Sequence, residues 1–213
     1  MNDPILWYFA DPMCSWCWGF SPVINAIRDS YRGHLKVALI LGGLRPGTTA
    51  AMTAKEREEI LHHWHAVHDR TGQPFRFDGA LGEGFVYDTE PASRAVVAMA
   101  ELSPDAVFPL FQAIQAAFYA EGRDVTRSAL LADLAEGLGA PRADFLAAFE
   151  SDAARAKTLA HFEMARRAGV RGFPTVVLQR GEQHQFLTRG YVPLAEIQPA
   201  IDAWLAGGEP RQA

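Results

Sequence analysis

Cys14-Ser15-Trp16-Cys17 is the stretch that decides the fold of this 213-residue chain. Its two cysteines are the only ones in the sequence. They follow a short apolar run, Ile5 to Phe9, and open a segment with helical periodicity from about Trp16 to Tyr31. Two thiols at this spacing can form and break a disulfide reversibly, and a helix N-terminus favours a thiolate on the first sulfur. The pattern therefore favours a redox-active pair.

Two other interpretations of the cysteine pair are open. A structural zinc ion usually takes four Cys or His ligands, and the chain has no second C-x-x-C. Four histidines on one charged helical segment would have to supply the rest, although they have no paired spacing with the cysteines: His62, His63, His65 and His68. A static disulfide would close only a tiny loop and constrain little of the unfolded chain. We therefore expect no metal.

Composition and charge exclude several classes of function. The net charge is −5, which does not favour binding to nucleic acid. No apolar stretch reaches the ~18 to 20 residues of a membrane-spanning helix, and no polybasic run indicates a membrane surface. The N-terminus lacks the basic region of a secretory signal, so we expect a cytoplasmic protein, in which a lone thiol pair is more often catalytic than structural.

The order of predicted elements is β-α-β, a helical block, and then β-β-α. The second strand is predicted at Leu35 to Leu41, and helical periodicity fills the middle of the chain. A hairpin follows from about Thr175 to Thr188, and a last helix runs from about Pro193 to Leu205. We predict an α/β chain with a discontinuous domain, 1–45 and 169–213, and an inserted all-helical domain, 46–168.

This order and four motifs resemble the DsbA-like family of thiol–disulfide oxidoreductases, and most closely its FrnE-like or protein-disulfide-isomerase branch. The resemblance implies a thioredoxin fold with a helical domain inserted after the second strand. It spans nearly the whole chain, and its first and last motifs are specific in combination. The motifs are Asp11-Pro12-Met13-Cys14-Ser15-Trp16-Cys17-Trp18-Gly19-Phe20, Thr71-Gly72-Gln73-Pro74-Phe75, Glu90-Pro91-Ala92-Ser93-Arg94-Ala95 and Gly169-Val170-Arg171-Gly172-Phe173-Pro174-Thr175.

The resemblance also implies roles for the site residues. Cys14 is expected to be the partly exposed nucleophile and Cys17 the cysteine that resolves the mixed disulfide. Pro174 is expected to follow a cis peptide bond beside the pair and to leave the backbone of Phe173 free to bind an extended substrate, although an ordinary trans proline opening an edge strand is the alternative. Two further residues are expected to tune the pair and contact substrate: Ser15 and Trp16.

One position departs from the family pattern. Relatives often place a buried carboxylate six residues before the first cysteine, where it helps to deprotonate the second, and this chain has Tyr8 there. The nearest acid, Asp11, is expected to be a turn or cap residue. The sequence therefore leaves the proton acceptor for Cys17 unassigned, with water as one candidate.

Three functions compete. The first is a dithiol–disulfide oxidoreductase or isomerase acting on protein or peptide disulfides, without a bound cofactor, with glutathione or a thioredoxin-type protein as reductant. The second is a glutathione-dependent isomerase or transferase of the kappa or hydroxychromene-carboxylate type, enzymes that share this fold but typically carry serine at the position of Cys14. The third is a binding protein that senses oxidation. The sequence does not distinguish a monomer from a homodimer.

Overall fold

The computed structural model describes residues 3–207. Four strands and eight helices follow one another in the predicted order. They are β1 Ile5–Ala10, α1 Ser15–Ser30, β2 Lys36–Leu41, α2 Ala54–Thr71, α3 Glu90–Leu102, α4 Val107–Tyr119, α5 Ser128–Glu136, α6 Arg142–Glu150, α7 Asp152–Arg167, β3 Thr175–Arg180, β4 Gln183–Arg189 and α8 Leu194–Leu205, with a 3₁₀ turn at Pro104–Ala106 before α4.

The four strands form one mixed sheet in the order β2-β1-β3-β4. β1 runs parallel to β2 and antiparallel to β3, and β3 and β4 form an antiparallel hairpin. A parallel β1–β2 pair needs a crossover connection, which α1 supplies. This arrangement confirms the predicted thioredoxin fold, and it brings the loop after β1 next to the segment that precedes β3.

Side-chain contacts cap and join the helices between β2 and β3. Thr53 forms a complete capping box with Glu56 at the start of α2, as the sequence predicts. The buried guanidinium of Arg94 joins α3 to α6, because its Nε lies 2.8 Å from Glu90 and one terminal nitrogen donates to the carbonyl of Phe149 at 2.8 Å. The Arg94 contacts therefore tie α3 to α6.

The buried core extends from the sheet into the helical block. Tyr8 of β1, for example, lies 5.7 Å from Phe20 of α1 and 6.2 Å from Phe111 of α4, measured between ring centroids. The division into two domains at 46 and 168 stays a prediction. Among residues 3–207, no helix combines the length and the apolar character needed to cross a membrane.

Candidate active site

Cys14 lies at the N-terminus of α1, as the sequence predicts. It is the N-cap residue, with an extended backbone at φ −98° and ψ 118°, and its N–H donates to the carbonyl of Asp11 at 3.1 Å. The prediction that Cys14 is partly exposed is wrong, since only 6% of its surface is accessible. The carbonyl oxygen of Phe173 lies 3.5 Å from its sulfur.

Cys17 lies one turn deeper in α1 and is fully buried. Both sulfurs are free thiols. Burial raises the pKa of the Cys17 thiol, and the neighbouring Cys14 raises it further, while a hydrogen bond from the backbone of Asp11 opposes these effects. The two thiols are therefore unequal: one lies at a helix start and borders the surface, and the other is a buried thiol that holds its proton.

The segment before β3 completes the site. The Phe173–Pro174 peptide bond is cis, and the thiol of Cys14 donates to the carbonyl oxygen of Phe173 across 3.5 Å. The carbonyl of Pro174 already has a hydrogen-bond donor within the protein, because it accepts from the N–H of Gly190 at 2.7 Å. The backbone of Phe173 is thus placed directly beside the first sulfur.

Gly42, directly after β2, lies against the ring of Phe173, and no pattern in the sequence indicates this contact. A Cβ atom at position 42 would overlap several ring atoms of Phe173. The next residue, Gly43, has a φ of +69°, and a Cβ there would lie 2.7 Å from the ring of Phe162 on α7. The two glycines let both rings pack directly on the backbone.

Aromatic residues pack around the first turns of α1. The half-buried ring of Trp16 lies 6.1 Å from Tyr191, which also packs against Phe20. The indole N–H of Trp18 donates to the carbonyl of Pro74 at 3.0 Å, so the loop after α2 does approach the active-site helix. Ser15, which follows Cys14 in the sequence and is the first residue of α1, is half-buried.

A groove of about 600 Å³ opens beside Phe173. We call it the Phe173 groove. Its walls are the segment from Gly169 to Phe173 together with Thr175, Arg189 and Gly190. Arg171 and Arg189 are exposed residues of this lining, and they give the groove two positive charges.

Asp11 is more than the turn residue that the sequence predicts. Its Oδ1 does accept from the N–H of Met13 at 2.8 Å, as in an Asx turn, but its Oδ2 accepts from the N–H of Leu44 at 2.8 Å, which ties the loop after β1 to the loop after β2. The residue is fully buried, and burial raises the pKa of its carboxyl to about 6. The long-range partner explains why the sequence did not indicate this burial.

The histidines of α2 do not join the site. Within residues 3–207 no group of three or more His, Cys, Asp or Glu side chains is placed to hold a metal ion. His65 instead stacks on the ring of Phe77 at 3.9 Å, and Nδ1 of His68 lies 2.7 Å from the carbonyl of Gln73. Both histidine rings therefore make packing or hydrogen-bond contacts with the loop that follows α2.

Comparison with known proteins places the chain in a family. The model of the DSBA-like thioredoxin domain matches residues 5–202. A crystal structure from Nitrosomonas europaea, described as a candidate protein disulfide isomerase, is 47% identical, covers 98% of this chain and 100% of that chain, and has a TM-score of 0.92. The cytosolic disulfide reductase DsbM from Pseudomonas aeruginosa is 30% identical, with coverage of 95% and 96% and a TM-score of 0.75, and it has also been solved with glutathione.

More distant relatives share less. The ClpXP adapter protein SpxH from Halalkalibacterium halodurans is 22% identical over 81% of this chain, and the match spans only 57% of that protein's length. A 2-hydroxychromene-2-carboxylate isomerase, 15% identical with a TM-score of 0.66, is similar in fold alone. The family model and the two solved relatives cover nearly the whole chain, which therefore belongs to the DsbA-like thioredoxin-domain family of thiol–disulfide oxidoreductases.

Proposed function

We propose that this chain exchanges thiols and disulfides with protein or peptide substrates through Cys14 and Cys17. The observation that carries the proposal is the position of the Cys14 sulfur, 3.5 Å from the Phe173 carbonyl and one helical turn above the buried Cys17. A nucleophile beside the backbone of the segment before β3, with a second thiol behind it, is the arrangement that dithiol exchange requires.

In the reducing direction the Cys14 thiolate attacks one sulfur of the substrate disulfide. A Cys14–substrate bond forms, and the other substrate sulfur leaves as a thiolate that takes a proton from solvent. Cys17 then attacks the Cys14 sulfur, the Cys14–substrate bond breaks, and the proton of Cys17 ends on the released substrate thiol. Two electrons have passed to the substrate, and Cys14 and Cys17 form a disulfide. The oxidising direction reverses these steps, and isomerisation uses Cys14 alone until Cys17 releases it.

Substrate is held along the segment before β3. An extended chain is proposed to lie beside the backbone of Phe173, with Pro174 shaping the turn and Ser15 and Trp16 flanking the reacting sulfur. Arg171 and Arg189 give the Phe173 groove a positive charge that suits a carboxylate, such as those of glutathione or of an acidic residue near the substrate cysteine.

The proposed setting is a reducing cytoplasm, in which the pair rests as the dithiol and acts as a reductant or isomerase. The likeness to a disulfide reductase described as cytosolic, and solved with glutathione, supports this setting and supports glutathione as the electron donor. A thioredoxin-type protein is the other candidate donor. No bound cofactor, nucleic acid or membrane enters the proposal, and either a monomer or a homodimer would serve it.

Trapping experiments test the proposal. Cys17→Ser, mixed with a disulfide-bonded peptide, should accumulate a mixed disulfide on Cys14 that mass spectrometry locates, because the resolving thiol is gone. Cys14→Ser should form no such adduct, and wild type should reduce the peptide catalytically when glutathione is supplied. Failure of Cys17→Ser to trap peptide would contradict the proposal. Glutathione-dependent isomerase turnover that survives Cys17→Ser would favour the second function instead.

A further inference from the structure

The hydroxyl of Tyr87 reaches the turn that leads into Cys14. Tyr87 lies between α2 and α3, only 3% of its surface is accessible, and its hydroxyl donates to the carbonyl of Met13 at 2.6 Å. The two residues are 74 positions apart in the sequence. The bond therefore joins the helical part of the chain to the residue that directly precedes the proposed nucleophile.

Both polar atoms of the Met13–Cys14 peptide group have a partner within the protein. Its carbonyl oxygen accepts from Tyr87, and its N–H, which belongs to Cys14, donates to the carbonyl of Asp11 at 3.1 Å. The carbonyl of Cys14 itself accepts from the N–H of Trp18 at 3.1 Å, as the carbonyl of an N-cap residue does. Because the planar peptide before Cys14 and the helix after it are both held, the direction of its Cα–Cβ bond is held as well.

A phenylalanine at position 87 would fill nearly the same space but would leave the Met13 carbonyl without this donor. A buried carbonyl that loses its partner costs free energy, and the backbone relieves that cost by turning the carbonyl towards another donor or towards water. Rotation of the Met13–Cys14 peptide would carry the Cys14 sulfur with it. Cys17 lies within α1, whose own hydrogen bonds keep it in place.

We propose that Tyr87 is a positioning residue that holds the Cys14 sulfur in line for attack by Cys17. The inference rests on the proposed function, in which Cys17 resolves the mixed disulfide on Cys14. Tyr87 takes no part in the covalent balance. The Cys14–Cys17 bond forms, the bond from Cys14 to the substrate sulfur breaks, and that sulfur leaves with the electron pair and takes up the proton of Cys17.

The second exchange step depends on this geometry more than the first. Cys17 must approach the Cys14 sulfur along the axis of the bond that breaks, and a misplacement of about 1 Å can lower such a rate by roughly 100-fold. A substrate that arrives from solvent can adapt its approach to the position of Cys14, whereas Cys17 cannot. Loss of the Tyr87 hydroxyl should therefore slow resolution by Cys17 and largely spare the first attack by Cys14.

Stopped-flow absorbance with an aromatic disulfide reagent separates the two steps. Reduced wild type should release one coloured thiolate when Cys14 attacks and a second when Cys17 resolves the adduct. Tyr87→Phe should slow the second release about tenfold or more and change the first by less than about threefold. Tyr31→Phe is the matched control, because it removes another buried tyrosine hydroxyl, which donates to Asp202 at 2.5 Å at the far end of α1. It should leave both releases at the wild-type rates.

The outcomes separate this inference from the proposed function. If wild type shows no second release, the proposed function fails and the role of Tyr87 falls with it. If wild type shows both releases and Tyr87→Phe matches Tyr31→Phe in the second, only the role of Tyr87 is overturned. Equal slowing of both releases by Tyr87→Phe overturns it too, because that result indicates a general disturbance of the site.

A spectroscopic measurement keeps position 87 intact. Met13–Cys14 is the only Met–Cys pair in the sequence, so protein labelled with ¹³C at methionine carbonyls and ¹⁵N at cysteines gives a single carbonyl–amide correlation in NMR spectra. If this peptide is held, the correlation should be one sharp peak in reduced wild type and in the Cys14 mixed disulfide of Cys17→Ser. Two peaks, or loss of the peak by exchange broadening, in either protein would overturn the inference however Tyr87→Phe folds.

Discussion

Gly42→Ala should damage the active site without touching either cysteine. The new Cβ would overlap the ring of Phe173, and the ring must retreat by about 1.5 Å to regain an ordinary carbon–carbon contact. Gly42 does not have a positive φ, so alanine suits its backbone and the clash is the whole perturbation. Overpacking of this kind costs about 1 to 3 kcal/mol of unfolding free energy.

The larger expected effect is on catalysis. Movement of the ring carries the backbone of Phe173 away from the Cys14 sulfur, and a misplacement of about 1 Å can lower a rate by roughly 100-fold. We therefore expect kcat/KM for reduction of a disulfide-bonded peptide to fall by roughly 10-fold to 100-fold, measured well below the melting temperature.

Two variants control this prediction. Gly82→Ala places a methyl group in open space and should leave kcat/KM at the wild-type value. Adding Phe173→Leu to Gly42→Ala removes the clashing ring, so the two changes together should be less harmful than the sum of each alone. Equal activity of Gly42→Ala and Gly82→Ala would refute the reasoning.

Two further predictions concern stability. Burial raises the pKa of Asp11 from 3.8 to about 6, so ionisation of this carboxyl works against folding. As the pH rises from about 4 to 6, the wild type should lose up to about 3 kcal/mol of unfolding free energy relative to Asp11→Asn. Denaturant titrations that show a constant difference between the two proteins over this range would contradict the prediction. Arg94→Ala leaves Glu90 and the buried carbonyl of Phe149 without their donor, and should lower the unfolding free energy measured in urea by about 3 kcal/mol or more. Arg32→Ala removes an exposed ion pair and should lower it by less than about 1 kcal/mol. Similar losses in the two variants would show that burial does not decide what these ion pairs contribute.

Local features of the chain were predictable because local sequence determines them. The capping box at Thr53 needs only two side chains three residues apart, and the β-α-β start needs only an apolar run, a turn and an amphipathic helix. The position of Cys14 at a helix start is confirmed for the same reason. The motif resemblance extended this to the whole topology, and the family and the fold are both confirmed.

Features that depend on distant partners were not predictable. Buried Asp11 accepts from the backbone N–H of Leu44, and the thiol of Cys14 meets the carbonyl of Phe173, which is 159 residues away in the sequence. The close packing of the Phe173 ring on Gly42 likewise joins two residues that are far apart in the sequence. The roles of Phe173, Pro174, Ser15 and Trp16 in binding substrate stay predictions, since the geometry brings them together around Cys14 without a substrate to contact.

An equilibrium redox titration of the Cys14–Cys17 pair tests the central claim most directly. The protein is equilibrated in glutathione buffers of graded potential and its free thiols are alkylated. Mass spectrometry then gives the number of alkylated thiols per molecule. The account predicts one reversible transition in which both alkylation sites are lost together, with a tenfold change in the ratio of dithiol to disulfide for about every 30 mV, and predicts its absence in Cys14→Ser. Two thiols that stay free across the whole range, or that are held by zinc, would contradict it.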